Sequence, residues 1–167
     1  AMTLLRGAYF ANAAMLAGEF PKTKLIGREI AGKRMGLVGF GAIARDVARH
    51  AQGLGMTVAA YDPYVPADAP AWQGVEKLEL DVLLSTSDVI SIHLPLTPET
   101  RGVIGEAAFA RMKPDVSIVN TSRGPVINQA ALIEFLHEHP MAQAGLDVFE
   151  VEPLPADSPL YQMLGIW

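Results

Sequence analysis

Short apolar runs alternate with helical stretches along most of the chain. The runs predicted as β-strands are residues 35–40, 57–62, 89–94, 116–120 and 143–148. The stretches predicted as helices are residues 42–54, 77–86, 105–113 and 129–139, and a proline- and alanine-rich loop is predicted at 63–74. Because strands separated by helices need crossover connections, the pattern predicts a parallel sheet covered on both faces. The predicted fold class is therefore a doubly wound α/β domain.

The N-terminal segment has a different pattern. Residues 2–18 have helical spacing, with a glycine at 18 and a proline at 21 to end the helix. Its side chains form one broad, mostly apolar stripe, made by Leu4, Leu5, Ala8, Tyr9, Ala11, Asn12, Met15 and Leu16. An apolar face this broad must be buried against another surface. We therefore expect the domain to dimerise through residues 2–18 with a two-fold partner.

Composition narrows the class of protein. A chain of 167 residues is long enough for one domain with a full core. The net charge of −5 argues against a nucleic-acid-binding surface, and no apolar run is long enough to span a membrane. The chain has no cysteine, which excludes disulfides and thiolate chemistry. We therefore expect a cytoplasmic protein without nucleic-acid or membrane partners.

A dinucleotide-binding fingerprint follows the first predicted strand. Gly39, Gly41 and Ala44 have G-x-G-x-x-A spacing between that strand and the next helix. Gly39 permits a tight turn, Gly41 lets backbone N–H groups approach a pyrophosphate, and the small Ala44 lets the helix pack closely on the strand. The anion would then lie at a helix N-terminus, where unpaired amides and the dipole favour it. The spacing therefore predicts a Rossmann-type fold.

Asp62 ends the second predicted strand, where a carboxylate can accept hydrogen bonds from both ribose hydroxyls of NAD. The same charge would repel the 2′-phosphate of NADP, and no arginine or lysine follows in YDPYVPADAP. The predicted cofactor is therefore NAD. Two alternatives remain open on these residues alone. Asp62 could simply open a turn before Pro63, and methyltransferases also combine a glycine loop with an acid after the second strand.

Two later loops begin where predicted strands end. In HLPLTPETRGVIG (residues 93–105), prolines on both sides of Leu96 and Thr97 predict a rigid wall for a flat ligand. In VNTSRGPVIN (residues 119–128), Arg123 is predicted at the carboxyl edge of the sheet, where open parallel sheets bind ligands. Arginine can hold a carboxylate with two parallel hydrogen bonds. The alternative, a surface arginine over a helix N-terminus, is electrostatically unfavourable.

Two other patterns predict no chemistry. Ser122 lacks the G-x-S-x-G elbow of serine hydrolases. In the HEH motif at residues 137–139, side chains two positions apart point to different sides of a helix. Since three ligands are not in evidence, no metal site is predicted, and we interpret this motif as a solvated helix end.

Taken together, the motifs resemble those of the NAD-dependent D-isomer-specific 2-hydroxyacid dehydrogenases. The matching stretches, in the family's order, are GKRMGLVGFGAIARDVA, YDPY, HLPLTPETRGVIG, NTSRGPVIN and GLDVFEVEPLP. The resemblance implies hydride transfer between NAD(H) and a small D-2-hydroxy acid or 2-oxo acid, of the phosphoglycerate, hydroxypyruvate or glyoxylate type. It also implies that residues 1–20 are a linker and dimerisation helix of a homodimer and that residues 21–167 are the NAD-binding Rossmann domain.

The resemblance also assigns roles to single residues. Those along the pyrophosphate would be Gly39, Gly41, Ala42 and Ile43, with Asp62 on the adenosine ribose. Pro95 and Thr100 would line the rest of the cofactor cleft. Thr121 and Asp147 would approach the nicotinamide end. Asp147 would hold the carboxamide. On the substrate side, Arg123 would bind the carboxylate and keto oxygen, and Glu152 would pair with the catalytic histidine, raising its pKa and fixing its tautomer.

The histidines depart from the family pattern. The family's catalytic histidine lies in a TPH-like segment beyond the glutamate, and none of His50, His93, His137 and His139 matches it. His93 matches a different family position, near the cofactor. We therefore expect a cofactor-binding domain without the substrate domain and catalytic histidine segment, which binds NAD and is inactive alone. A rival is a non-enzymatic NAD-sensing protein of the family's corepressor branch, although Arg123 and Glu152 favour catalysis.

Overall fold

A six-stranded parallel sheet forms the centre of the computed structural model, which describes residues 1–6, 11–20 and 26–163. Its strands are β1 (Arg34–Val38), β2 (Thr57–Tyr61), β3 (Glu76–Lys77), β4 (Val89–Ile92), β5 (Ser117–Asn120) and β6 (Gln143–Leu146). They lie in the order β3-β2-β1-β4-β5-β6 and all pair in parallel. The chain moves outward from β1 in both directions, so the switch point lies between β1 and β4. The predicted Rossmann-type fold is confirmed.

Helices cover both faces of this sheet. They are α1 (Met2–Arg6), α2 (Ala11–Leu16), α3 (Ala42–Gly53), α4 (Leu80–Thr86), α5 (Glu106–Phe109) and α6 (Gln129–Glu138). Successive residues of β1 face opposite sides. Leu37 belongs to the apolar cluster that contains the inner face of α3, whereas Val38 belongs to the cluster that contains residues of α4, α5 and α6. The core therefore consists of two apolar layers, one on each side of the sheet.

Two predicted helices are shorter than expected. The helix predicted at 77–86 begins at Leu80, because Glu76 and Lys77 pair with β2 as an edge strand. The helix predicted at 105–113 is regular only over Glu106–Phe109, after which the chain continues in turns towards Pro114. A two-residue strand and a one-turn helix are both too short to produce a hydrophobic period.

The HEH motif at the end of α6 is only partly solvated. His137 is exposed, but His139 is half-buried and stacks on Phe135, with ring centroids 4.5 Å apart. Its Nδ1 lies 2.9 Å from the carbonyl oxygen of Phe135. His139 therefore caps the helix by packing and hydrogen bonding, which corrects the interpretation of a simple solvated end.

The predicted N-terminal helix is described as α1 and α2. Residues 7–10, which include Ala8 and Tyr9, lie outside the described residues, as do residues 21–25 at the predicted domain boundary. Leu4 and Leu5 are buried, and Leu5 packs in the same cluster as Leu37. Part of the apolar stripe is therefore covered by this domain itself. In the described residues, no helix is both long and apolar enough to cross a membrane.

Asp88 ties together the amino ends of the central strands. Its Oδ2 accepts a hydrogen bond from the backbone N–H of Arg34 at 2.7 Å, and its Oδ1 accepts one from Nζ of Lys113 at 2.9 Å. Burial by itself would raise the pKa of Asp88, but these two donors outweigh it, so the pKa lies below its usual value. The carboxylate therefore stabilises the end of the sheet opposite the candidate site.

Candidate functional site

The glycine turn between β1 and α3 uses its two glycines differently. Gly39 has φ +89°, and a Cβ there would lie 2.9 Å from the carbonyl oxygen of His93, so no side chain fits. Gly41 has an ordinary φ of −72°, and a Cβ built on it meets nothing within 4 Å. Ala44, in the first turn of α3, is fully buried on the face that packs against the sheet, as the fingerprint requires. Gly39 therefore shapes the turn, while Gly41 keeps open the space in front of it.

An open cleft of about 360 Å³ lies at this turn, at the carboxyl ends of β1, β4 and β5. It is lined by Gly41, Ala42, Ile43, Ala44, His93, Leu94, Thr121, Ser122 and Arg123. Five of the predicted site residues are thus brought together: Gly41, Ala42, Ile43, Thr121 and Arg123. Ile43 is 71% exposed although it is apolar. This is the place where ligands bind in open α/β sheets.

The electrostatics of this cleft favour an anion. Gly41 is the N-cap of α3 and makes no side-chain cap, so the first-turn N–H groups of the helix lack a partner from the cap side chain. The helix dipole adds partial positive charge at the same end, and Arg123, which lines the same cleft, adds a formal positive charge. The cleft therefore offers an anionic group both a helix N-terminus and a guanidinium.

Asp62 joins the end of β2 to the glycine turn. Its Oδ2 accepts a hydrogen bond from the N–H of Phe40 at 2.8 Å, and its Oδ1 accepts one from the N–H of Tyr64 at 2.9 Å. The second bond is the turn-opening role considered as an alternative, while the first places the carboxylate beside the fingerprint glycines. Each carboxylate oxygen retains a lone pair for a further donor, so both roles are compatible.

An aromatic stack behind this turn was not foreseen from the sequence. Phe40, between the two glycines, is buried and stacks on Trp72 with ring centroids 4.7 Å apart. Nε1 of Trp72 donates to the carbonyl oxygen of Pro66 at 2.7 Å. The stack therefore fixes the proline-rich loop after Asp62 to the glycine turn. The sequence signal that could have indicated this stack is the aromatic residue between the two fingerprint glycines.

Pro95 and Thr100 lie in the loop after β4, but neither belongs to the cleft lining, which on this side ends at Leu94. The Thr100 hydroxyl donates to the carbonyl oxygen of Pro95 at 2.6 Å and accepts from the N–H of Thr97 at 2.8 Å. These bonds hold the loop in one conformation. They agree with the predicted rigidity of the loop, whereas its predicted role as a wall for a flat ligand stays a prediction. Thr100 is engaged with the loop itself.

His93 stands at the edge of the cleft, directly after β4. Its Nε2 lies 3.0 Å from Oγ of the buried Ser91. Partial burial lowers the pKa of His93 below its usual value, so the imidazole is neutral near pH 7. His93 therefore contributes a neutral hydrogen-bonding group to the cleft wall, not a positive charge.

Arg123 of the cleft and the two remaining site residues, Asp147 and Glu152, follow β5 and β6. Arg123 is exposed, and its Nη1 donates to the carbonyl oxygen of Ser122 at 2.6 Å. Asp147 is exposed directly after β6. Glu152 Oε1 accepts a hydrogen bond from the N–H of Phe149 at 2.8 Å. Within the described residues, no ion pair joins Arg123 to either carboxylate, and neither carboxylate lines the cleft.

Comparison with known proteins places these features in one family. The sequence of residues 1–166 matches the protein-family model described as "D-isomer specific 2-hydroxyacid dehydrogenase, NAD binding domain". (S)-sulfolactate dehydrogenase of Chromohalobacter salexigens is 50% identical over 164 residues, which are 98% of this chain and 53% of that protein. Chloroplastic D-3-phosphoglycerate dehydrogenase 2 of Arabidopsis thaliana is 42% identical over 160 residues, 96% of this chain and 26% of that protein.

A solved structure gives the same result for the fold. NAD-dependent formate dehydrogenase from Staphylococcus aureus, in complex with NAD, has a TM-score of 0.88 and 32% identity. The match covers 98% of this chain and 50% of that one. The chain therefore spans about half, or less, of the length of these relatives.

Proposed function

Because this chain belongs to the NAD-binding domains of the D-isomer-specific 2-hydroxyacid dehydrogenases, we propose that it is the cofactor-binding part of an oxidoreductase. The enzyme transfers a hydride between NAD(H) and a small D-2-hydroxy acid or its 2-oxo acid. The observation that carries this proposal is the cleft at the switch point, which is lined both by Arg123 and by the uncapped N-terminus of α3. The helix N-terminus suits a dinucleotide phosphate, and the guanidinium suits a substrate carboxylate.

The residues present fit the cofactor. Gly41 leaves open space where a pyrophosphate would approach, and the first turn of α3, at Ala42 and Ile43, offers N–H groups to it. Asp62 stands beside the same turn with lone pairs for the ribose hydroxyls. We assign Thr121 and Asp147 to the nicotinamide end. When bound, NAD(H) accepts or supplies the hydride; the protein binds and orients the reactants.

On the substrate side, Arg123 binds the carboxylate and keto oxygen, because its guanidinium offers two parallel donors and is free of ion pairs among the described residues. Glu152 orients a histidine that moves the proton. None of the four histidines, all of which lie in the part of the chain that the structure describes, is hydrogen-bonded to Glu152, which accepts its bond from the N–H of Phe149. Since the chain spans about half, or less, of the length of these relatives, we assign that histidine and the substrate domain to other parts of the enzyme.

The test is turnover by the full-length enzyme that contains this chain. NAD-dependent oxidation of D-3-phosphoglycerate and (S)-sulfolactate, and NADH-dependent reduction of hydroxypyruvate and glyoxylate, are followed at 340 nm. We expect activity with at least one of them and loss of that activity in Arg123→Ala with NADH binding retained. Absence of turnover with all four, together with peptide binding that depends on NADH, would instead support a corepressor-like sensor.

The proposal includes a homodimer formed through the N-terminal segment. Met15 and Leu16 of α2 are 51% and 84% exposed, and Phe20 beyond them is also exposed. Large apolar side chains clustered on a surface favour association with a second copy. We expect light scattering to give a dimer for the wild type and a monomer for the double substitution of Met15 and Leu16 by Glu. A cytoplasmic location is proposed with it, in agreement with the absence of cysteine.

A further inference from the structure

Asn120 is the last residue of β5, directly before the loop that carries Thr121 and Arg123. Its side chain is only 1% exposed. Nδ2 donates to the carbonyl oxygen of Arg123 at 3.0 Å, and Oδ1 accepts from both the N–H and the hydroxyl of Ser122, at 3.0 Å and 2.8 Å. The amide therefore holds the turn from residue 120 to residue 123 closed around itself.

The backbone of Asn120 connects this turn to the next strand. Its carbonyl oxygen accepts a hydrogen bond from the N–H of Asp147 at 3.0 Å, continuing the pairing of β5 with β6 by one residue. One residue thus fixes the start of both loops that carry proposed site residues. The side chain fixes the Arg123 loop, and the main chain fixes the Asp147 loop.

A second contact locks the two loops together. A Cβ on Gly124 would lie 1.8 Å from the carbonyl oxygen of Phe149, so the chain at 124 passes directly against the chain at 149. The N–H of Phe149 in turn donates to Glu152. Arg123 and Glu152, which share no direct bond, are therefore held in register through the packed pair Gly124 and Phe149.

We propose that Asn120 is a positioning residue that sets Arg123 relative to Asp147 and Glu152. It touches neither substrate nor cofactor and acts through the turn that it closes. An asparagine suits the place because one amide supplies the donor for Arg123 and the acceptor for Ser122. The isosteric Asn120→Asp would set an oxygen against the carbonyl of Arg123 and open the turn. This inference rests on the proposed function for the role of Arg123, but not for the coupling of the loops.

The test compares Asn120→Ala and Asn120→Asp with Ser117→Ala. Ser117 is the matched control because it is also fully buried, lies at the other end of β5 and makes one side-chain bond, to Arg28 at 2.8 Å. In the full-length enzyme we expect both Asn120 variants to lower kcat/KM for glyoxylate or hydroxypyruvate at least tenfold. The Kd for NADH should change by a smaller factor than kcat/KM, because the glycine turn at the proposed pyrophosphate site is untouched and only Thr121 and Asp147, at the nicotinamide end, lie on the loosened loops. Ser117→Ala should leave kcat/KM within about twofold.

Hydrogen exchange followed by mass spectrometry supplies a readout that needs no substrate. Both Asn120 variants should take up deuterium faster in residues 121–126 and also in residues 147–152, whereas Ser117→Ala should change neither. Faster exchange in 121–126 alone, or the same pattern in Ser117→Ala, would overturn the inference. A wild type that turns over neither 2-oxo acid would count against the proposed function, and the exchange comparison would still decide the role of Asn120. If Asn120→Ala does not fold, the isosteric Asn120→Asp carries the same comparison.

Discussion

The substitution Gly41→Ala tests the role of the glycine turn in NADH binding separately from its role in folding. The added Cβ would meet no protein atom within 4 Å and would point into the cleft at the N-terminus of α3, and the backbone at this position is not left-handed. Gly53→Ala is the matched control, since Gly53 ends the same helix and its Cβ would also meet nothing within 4 Å. Of the two added methyl groups, only that of Gly41→Ala lies where a pyrophosphate would approach.

The expected magnitudes follow from these positions. Alanine is a poorer N-cap than glycine, so Gly41→Ala should lower the free energy of unfolding by about 1 kcal/mol or less. Gly53→Ala should raise it by up to about 1 kcal/mol, because alanine favours the helix. If the methyl group displaces the phosphate from one charge-assisted N–H bond, the loss is about 1.5–3 kcal/mol, which is roughly 10- to 150-fold in the Kd for NADH.

Two assays measure these quantities. Fluorescence titration with NADH gives the Kd, and urea denaturation gives the free energy of unfolding for the wild type and both variants. We expect weaker NADH binding in Gly41→Ala alone, with all three proteins folded. A folded Gly41→Ala that binds NADH as tightly as the wild type would refute the placement of the pyrophosphate at this turn.

Three further predictions concern stability, pH and the substrate. Gly39→Ala should cost at least about 1 kcal/mol in urea denaturation, because its φ is +89° and its Cβ would crowd the carbonyl oxygen of His93. Since the pKa of Asp88 is lowered in the folded state, its stabilisation is present above the unfolded value of about 3.9 and is lost as pH falls through the folded pKa. Thermal melts should therefore show Asp88→Asn less stable than the wild type at pH 7, with the difference shrinking towards pH 3. Arg123→Lys should raise the KM for glyoxylate about tenfold or more with the Kd for NADH unchanged, because lysine cannot make two parallel bonds to a carboxylate.

The order of strands and helices could be read from the sequence because each long element has its own hydrophobic period. The regular part of α3 and the buried strand β4 are examples, and both appear near their predicted bounds. β3 could not be foreseen, since two residues carry no period and their strand character comes from pairing with β2. The ends of α5 and α6 likewise depend on tertiary packing, as the stacking of His139 on Phe135 shows.

The glycine turn of the candidate site was predictable because its chemistry depends on backbone shape, which glycine spacing reveals. The distinct tasks of Gly39 and Gly41 became visible only with the φ angle and the neighbouring atoms. The role of Asn120 could not be predicted in the same way, because a buried amide that closes a turn has no spacing signature. The same holds for Trp72, which reaches Phe40 across 32 positions of sequence.

Hydrogen exchange in the presence and absence of saturating NAD⁺ tests most directly whether the switch-point cleft is the cofactor site. We expect slower exchange in residues 40–45 at the start of α3 and in residues 93–95 and 121–124 on the facing loops. The distant end of the sheet around Asp88 should be unchanged. Protection confined to other segments, or none at saturating NAD⁺, would contradict the account.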